Sequence, residues 1–122
     1  MTTVRVGVIG FGLMGRTHAE AFHRDPRATL VAVADPHHSE EPSSEGNLDA
    51  QEEFALPDDV TVHASATDLL SRDDIDAVVV AAPTVFHVDL AVAVLESGRH
   101  LLAEKPLALD STEASRVARA GA

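Results

Sequence analysis

Cysteine, tryptophan and tyrosine are absent from the 122-residue sequence, and lysine occurs once, at Lys105. Without cysteine the chain can form neither a disulfide scaffold nor a thiolate zinc site. Without tryptophan and tyrosine, its core must be built from aliphatic side chains and four phenylalanines. The eight other cationic side chains are all arginine. The composition therefore raises one question: what a single ammonium group does at position 105.

Basic residues are scarce as a class, since 9 Lys and Arg stand against 20 Asp and Glu, a net charge of −11. Such a charge repels nucleic acid and anionic membranes, so neither is an expected partner. Much of the excess lies in residues 38–59, which hold eight acids and no Lys or Arg. No apolar run is long enough to span a bilayer, and we see no signal peptide. The sequence predicts a cytoplasmic protein with one domain, residues 1–122.

Strand-like and helix-like segments alternate along the chain. Short apolar runs predict strands at 4–9, 29–34, 60–63, 77–82 and 99–103. Helical spacing predicts helices over 14–22, 67–71 and 86–97 and from Ser111, where Thr112 and Glu113 offer N-cap and first-turn acid chemistry. Gly98 stands where a helix C-terminus favours positive φ. Residues 36–59 are rich in turn formers: we predict a mobile acidic loop in the first half of this segment and helical turns only at 48–54.

Continuous apolar strands are typical of a sheet that is covered on both faces. The alternation therefore predicts an α/β fold, a doubly wound parallel sheet (Rossmann-like) with strand order 3-2-1-4-5. In such a sheet, ligands bind at the carboxyl ends of the strands, where neighbouring crossovers diverge. The loop after strand 1 and residues 82–87 after strand 4 should form the two walls of that site.

The loop after strand 1 carries the spacing G-x-G-x-x-G at Gly10, Gly12 and Gly15. It leaves a predicted strand and opens a predicted helix, which is the context of a dinucleotide fingerprint. Glycine permits the tight turn, a close backbone approach to a diphosphate, and close packing of helix on sheet. The helix N-terminus adds unpaired N–H groups and a partial positive charge. We predict that the whole loop binds the cofactor: Gly10, Phe11, Gly12, Leu13, Met14 and Gly15.

An acid, Asp35, ends the second strand 20 residues after Gly15. A carboxylate can accept hydrogen bonds from two ribose hydroxyls and would repel a 2′-phosphate. No arginine follows it directly, since the next residues are Pro36, His37 and His38. The pattern therefore favours NAD over NADP as the cofactor.

Four segments resemble the N-terminal domain of the glucose–fructose oxidoreductase / inositol dehydrogenase (Gfo/Idh/MocA) family. They are GVIGFGLMGRTHAEAF (7–22), VAVAD (31–35), IDAVVVAAPTVFH (75–87) and LESGRHLLAEKPLALD (95–110). The resemblance implies an NAD(P)-dependent oxidoreductase that transfers hydride between the cofactor and a sugar, polyol or related substrate. It also implies cofactor contacts, or roles beside the nicotinamide and the reacting hydroxyl, for Pro83, Thr84, His87, Glu104 and Lys105.

Lys105 is the predicted catalytic residue. Removing hydride from a carbinol also requires removal of its O–H proton, and an ammonium can stabilise the developing alkoxide. Lysine can also relay a proton, which arginine cannot. The Lys105–Pro106 peptide bond is a candidate for the cis isomer. Many family members have asparagine at the position of Thr84, so this chain departs from the family there.

The chain is shorter than the members that it resembles. Those members have a C-terminal α/β domain, which provides most substrate contacts and an oligomer interface; we expect that domain to be missing here, and the 122 residues to be inactive alone. The chain would be a fragment, an engineered domain or one part of a split enzyme. A homo-oligomer and a partner chain both stay open. The alternative function is an NAD(P) sensor, or a subunit without chemistry of its own, although such a protein has no use for Glu104-Lys105-Pro106.

Other histidines allow weaker hypotheses. His37 and His38, with Glu40 and Glu41, could bind a metal, but no third ligand stands at helical spacing, and we predict no metal site. His18 could approach the diphosphate, although packing or solvation is the favoured interpretation.

Overall fold

The computed structural model describes residues 3–36 and 56–122. The described strands are β1 (Val4–Ile9), β2 (Ala28–Ala34), β3 (Thr61–His63), β4 (Ala77–Val80) and β5 (His100–Ala103). The described α-helices are α1 (Leu13–Arg24), α2 (Ala66–Leu70), α3 (His87–Glu96) and α4 (Ser111–Ala120), and a 3-10 turn spans Thr84–Phe86.

The strands form one parallel sheet in the order β3-β2-β1-β4-β5. β1 lies at the centre, with Val8 opposite Val33 of β2 and Val79 of β4. Because β1, β2 and β4 are short apolar runs, both faces of the central sheet can be buried. The predicted doubly wound architecture and strand order are confirmed.

The core lies on both faces of the sheet, because successive strand residues point to opposite sides. One face packs against α1, and its buried residues are Val6, Val8, Phe11, Ala19, Leu30, Val33, Val60 and Val79. The other packs against α2 and α3, and its buried residues are Ile9, Ala32, Ala34, Leu69, Ile75, Val78, Val80 and Val94. The predicted core of aliphatic side chains and phenylalanine is confirmed for these residues, among which Phe11 is the aromatic member.

Several local predictions are confirmed and others are corrected. Gly98 has a φ of 83° after α3, and the Lys105–Pro106 bond is cis, as predicted. The N-cap of α4 is Asp110 rather than a residue inside the helix, because its carboxylate accepts from the Glu113 amide at 2.8 Å. β4 ends at Val80, two residues early, and the helix predicted from 86 begins one residue later as α3. The loop and helical turns predicted within 36–59 fall almost wholly outside the described residues.

Candidate functional site

The glycine loop turns sharply between β1 and α1. Gly10 has a φ of +92°, which side-chain-bearing residues rarely adopt. A Cβ on Gly15 would lie 1.8 Å from the carbonyl oxygen of Gly10, so α1 packs directly on the turn. At Gly12, by contrast, no atom lies within 4 Å of the position of a Cβ. The loop is thus closed against the protein at two glycines and open at the third.

Gly12 is also the N-cap of α1, and no side chain caps the helix. The first turn of an α-helix leaves its N–H groups without partners inside the helix. No acidic side chain occupies this first turn. Open space above Gly12 and an uncapped helix N-terminus together fit an anionic group such as a diphosphate.

Asp35 is bound to the glycine loop. It follows β2 directly, and its Oδ2 accepts a hydrogen bond of 2.7 Å from the amide of Phe11. The Phe11 ring is buried in the core beside α1, and the guanidinium of Arg16 lies 4.7 Å from the ring centroid. One carboxylate therefore fixes the loop backbone at the carboxyl end of the sheet.

The loop after β4 approaches the same turn. The Ala81 amide donates to the carbonyl of Ile9 at 2.8 Å, which continues the pairing of β1 and β4. A Cβ on Gly10 would lie 2.6 Å from the backbone nitrogen of Ala82. Pro83 then precedes the 3-10 turn, which holds Thr84. The two predicted walls of the site are in backbone contact.

Glu104 connects the end of β5 to α1. Its amide donates to the carbonyl of Val80 at 2.9 Å, and its Oε1 lies 2.6 Å from Nε2 of His18. Its Oε2 accepts from the Lys105 amide at 3.2 Å. The hydrogen bond from His18, and then that from the Lys105 amide, lower the pKa of the Glu104 carboxyl below its usual value. Glu104 is therefore held ionised beside the lone lysine.

His87, at the start of α3, is only 2 % exposed. Its Nδ1 lies 2.8 Å from the carbonyl oxygen of Pro106, and its Nε2 lies 2.6 Å from that of Ala82. The imidazole thus lies between the loop after β4 and the loop after β5.

The predicted site residues lie in the segments that follow β1, β2, β4 and β5, including the first turns of α1 and α3. The contacts above join Gly10, Phe11, Gly15, Asp35, His87 and Glu104 to neighbouring loops or helices of this edge. Leu13 and Met14 are largely exposed on the first turn of α1. The cofactor contacts of all the predicted site residues, Pro83, Thr84 and Lys105 included, stay predictions.

Sequence reasoning did not predict the partnership of His18 with Glu104. His18 follows Gly15 by three residues, so the sequence placed it on the first helix. Its partner lies 86 positions away, and only the packing of α1 beside the end of β5 brings the two together. His37 and His38 lie outside the described residues. In the described part of the chain, no three His, Cys, Asp or Glu side chains are grouped as metal ligands would be.

A protein-family model described as "Oxidoreductase family, NAD-binding Rossmann fold" matches residues 4–122. The chain belongs to this family. The family is Gfo/Idh/MocA, as the sequence motifs predicted, and a nicotinamide dinucleotide is the cofactor class of this domain.

Curated relatives and a solved structure share this domain. Inositol 2-dehydrogenase 1 of Saccharopolyspora erythraea is 39% identical over 116 residues, which cover 94% of this chain and 32% of the relative. A glycosyl hydrolase family 109 protein of Shewanella sp. (strain W3-18-1) is 38% identical over 117 residues, covering 93% of this chain and 25% of the relative. The 3-ketoreductase KijD10 of Actinomadura kijaniata, solved with TDP-benzene and NADP, is 30% identical with a TM-score of 0.74; the match covers 98% of this chain and 35% of KijD10.

The chain therefore spans about a quarter to a third of the length of these Gfo/Idh/MocA relatives. Within residues 3–36 and 56–122, none of the helices has the length and apolar character needed to cross a bilayer.

Proposed function

We propose that this chain binds NAD in preference to NADP along the carboxyl edge of its sheet. The observation that carries the proposal is the glycine loop: Gly12 opens onto empty space at the uncapped start of α1, while the Asp35 carboxylate holds the Phe11 amide. The first-turn amides would hold the diphosphate, and Asp35 would accept hydrogen bonds from the adenosine ribose. A 2′-phosphate would meet the negative charge of Asp35, which is the reason for the NAD preference.

We further propose that the loops after β4 and β5 serve the reacting end of the cofactor. Pro83 and Thr84 would lie beside the nicotinamide ribose, and Glu104 would orient Lys105. When bound, the nicotinamide supplies the acceptor or donor of a hydride. Lys105 would hydrogen-bond the substrate hydroxyl through Nζ and stabilise negative charge as it develops on that oxygen.

The substrate class that we propose is a sugar, polyol or related hydroxyl or carbonyl compound. The relatives support it, since they include an inositol dehydrogenase, a glycosyl hydrolase and a 3-ketoreductase. We propose that residues 1–122 are the cofactor domain of such an enzyme. Because the relatives are three to four times longer, we also propose that these residues alone turn over little or no substrate.

Calorimetric titration of the chain with NADH and with NADPH tests the cofactor proposal. Asp35→Asn and Asp35→Ala form a matched pair, because asparagine keeps an oxygen that can accept from the Phe11 amide and alanine does not. We expect wild type to bind NADH more tightly than NADPH. Asp35→Asn should narrow that preference with the loop intact, and Asp35→Ala should weaken binding of both cofactors.

Two results would contradict the proposal. Absence of binding to either cofactor would leave the fold and the family without the binding function, and tighter binding of NADPH would reverse the choice of cofactor. A separate assay of NADH production from inositol or glucose tests the proposed inactivity. Robust turnover by the 122 residues would refute it.

A further inference from the structure

His87 is the only buried polar or charged side chain among the described residues, at 2 % exposure. It faces two carbonyl oxygens, of Pro106 at 2.8 Å and of Ala82 at 2.6 Å. Carbonyl oxygens only accept hydrogen bonds, so each contact requires a proton on the ring nitrogen that faces it. A neutral imidazole carries one N–H, and only the doubly protonated ring donates to both carbonyls at once.

The two contacts differ in what they connect. Ala82 is five residues before His87, so the Nε2 contact stays within one loop and the start of α3. Pro106 is 19 residues away and directly follows Lys105. The Nδ1 contact is therefore the one that attaches the lysine loop to another element.

Both sequence neighbours of Lys105 contact a histidine. The Glu104 carboxylate lies 2.6 Å from Nε2 of His18 in α1, and the Pro106 carbonyl oxygen contacts Nδ1 of His87 in α3. Lys105 itself is exposed, and its amide bonds to the adjacent Glu104 carboxylate. The backbone at Lys105 is thus fixed from both neighbours, while its side chain projects from a braced segment.

We propose that His87 is a positioning residue for Lys105, acting by donation of its Nδ1–H to the carbonyl oxygen of Pro106. The benefit of this positioning for catalysis rests on the proposed function, because Lys105 must be fixed relative to the nicotinamide in order to act on the substrate. The bond itself is a property of the chain without cofactor, so it can be tested separately. Loss of this part-buried bond would leave a polar atom of the buried imidazole without its partner, which costs free energy.

The first test uses the wild-type chain alone. Long-range ¹H–¹⁵N NMR correlation spectra of the histidine rings show which nitrogen carries a proton, and His87 is assigned by the spectrum of a His87 variant. We expect Nδ1 of His87 to be protonated. A ring protonated only at Nε2 could not donate to Pro106 and would overturn the proposal, whatever the chain binds.

The second test separates the two contacts by substitution. The amide nitrogen of asparagine can stand near the position of Nδ1, and that of glutamine near the position of Nε2. His87→Asn should therefore keep the bond to Pro106, and His87→Gln should keep only the bond to Ala82. Thermal unfolding of both variants serves as the control for folding.

Because Lys105 is the only lysine, ¹³C-lysine labelling gives a single reporter at the proposed site. We expect saturating NADH to shift its Cε resonance in wild type and in His87→Asn, and the shift to fall at least threefold in His87→Gln. The amide resonances of Gly12 and Asp35 should still respond to NADH in all three proteins. An equal Lys105 response in His87→Gln would refute the positioning role.

Failure of the proposed function is distinguishable from failure of this inference. If NADH shifts neither Gly12 nor Lys105 in wild type, the cofactor proposal fails, and the comparison moves to the cofactor-free chain. There the amides of Lys105 and Leu107 should exchange with solvent at least threefold faster in His87→Gln than in His87→Asn. Equal exchange rates would overturn the inference.

Discussion

Alanine substitutions at two glycines of the same loop should separate stability from cofactor binding: Gly15→Ala should lower stability, and Gly12→Ala should weaken only NADH binding. At Gly15 the new Cβ would lie 1.8 Å from the Gly10 carbonyl oxygen, whereas real Cβ atoms essentially never approach closer than 3.0 Å. Helix α1 would have to move by more than an ångström from the turn, and it carries Ala19 into the core. Overpacking of this kind against backbone should cost about 3 kcal/mol or more. For a chain of this size that corresponds to a fall in Tm of roughly 10 °C or more.

At Gly12 the new Cβ meets no atom within 4 Å, and its φ of −81° and ψ of −157° are open to alanine. Alanine is a poorer N-cap than glycine by up to about 1 kcal/mol. It also lowers the entropy of the unfolded chain, which stabilises by ~0.4–1 kcal/mol. The two effects nearly cancel, so the free energy of unfolding should stay close to wild type. NADH affinity should nevertheless fall at least about tenfold, or ~1.4 kcal/mol, because the methyl group occupies the space proposed for the diphosphate.

The assay combines urea unfolding with NADH titration of both variants, and Gly121→Ala serves as the control. A Cβ at Gly121 meets no atom closer than 3.4 Å and lies at the far end of α4. Normal NADH binding by a stable Gly12→Ala chain would refute the assignment of the loop. A Gly15→Ala chain as stable as wild type would show that the described approach of α1 to the turn is wrong.

Three further predictions concern acids and the core. The pKa of Asp76 is lowered to about 2 by hydrogen bonds from its arginine partner on β1. The ionised carboxylate therefore stabilises the folded state above the unfolded pKa of about 3.9, and this stabilisation is lost as pH falls through the folded pKa. The urea midpoint of wild type should therefore drop between about pH 4 and 2, and Asp76→Asn should flatten that drop; an unchanged slope would contradict the pairing. Because His18 lowers the pKa of Glu104, ¹³C NMR titration of the Glu104 carboxyl should show a higher midpoint in His18→Ala than in wild type, and equal midpoints would exclude that contact in solution. Leu69 is 0% and Leu109 74% exposed. In urea unfolding, Leu69→Ala should lower the free energy of unfolding by ~2–5 kcal/mol and Leu109→Ala by less than about 0.5 kcal/mol. Comparable losses would contradict the placement of Leu69 in the core.

Local sequence predicted most of the fold, because the strands of this sheet are short apolar runs that end at glycine, aspartate or a turn. Val78, Val79 and Val80 are all buried, and a run of that kind is typical of a strand covered on both faces. Strand order followed from the handedness of crossovers and the glycine fingerprint. Element ends were less accurate: the N-cap of α4 proved to be Asp110 and not Thr112, although Glu113 does lie in the first turn as predicted.

The candidate site was predicted by residue type, and its connections were not. The motifs placed Asp35, Glu104 and His87 at one edge, but they could not show which side chain bonds to which loop. The contacts of His18 with Glu104 and of His87 with Pro106 join residues 86 and 19 positions apart. Such pairs depend on how helices pack over the strand ends, and no local pattern records that packing.

The uncapped start of α1 has a consequence for ionic strength. A net charge of −11 opposes an anionic cofactor at long range, whereas the amides of one helical turn act only on contact. Salt shortens the reach of the repulsion to about 8 Å at physiological concentration and leaves the hydrogen bonds in place. Proteins that hold phosphates with clustered lysines lose affinity as salt is added. As salt is added, a cofactor held mainly by neutral backbone in an acidic chain should bind equally well or more tightly.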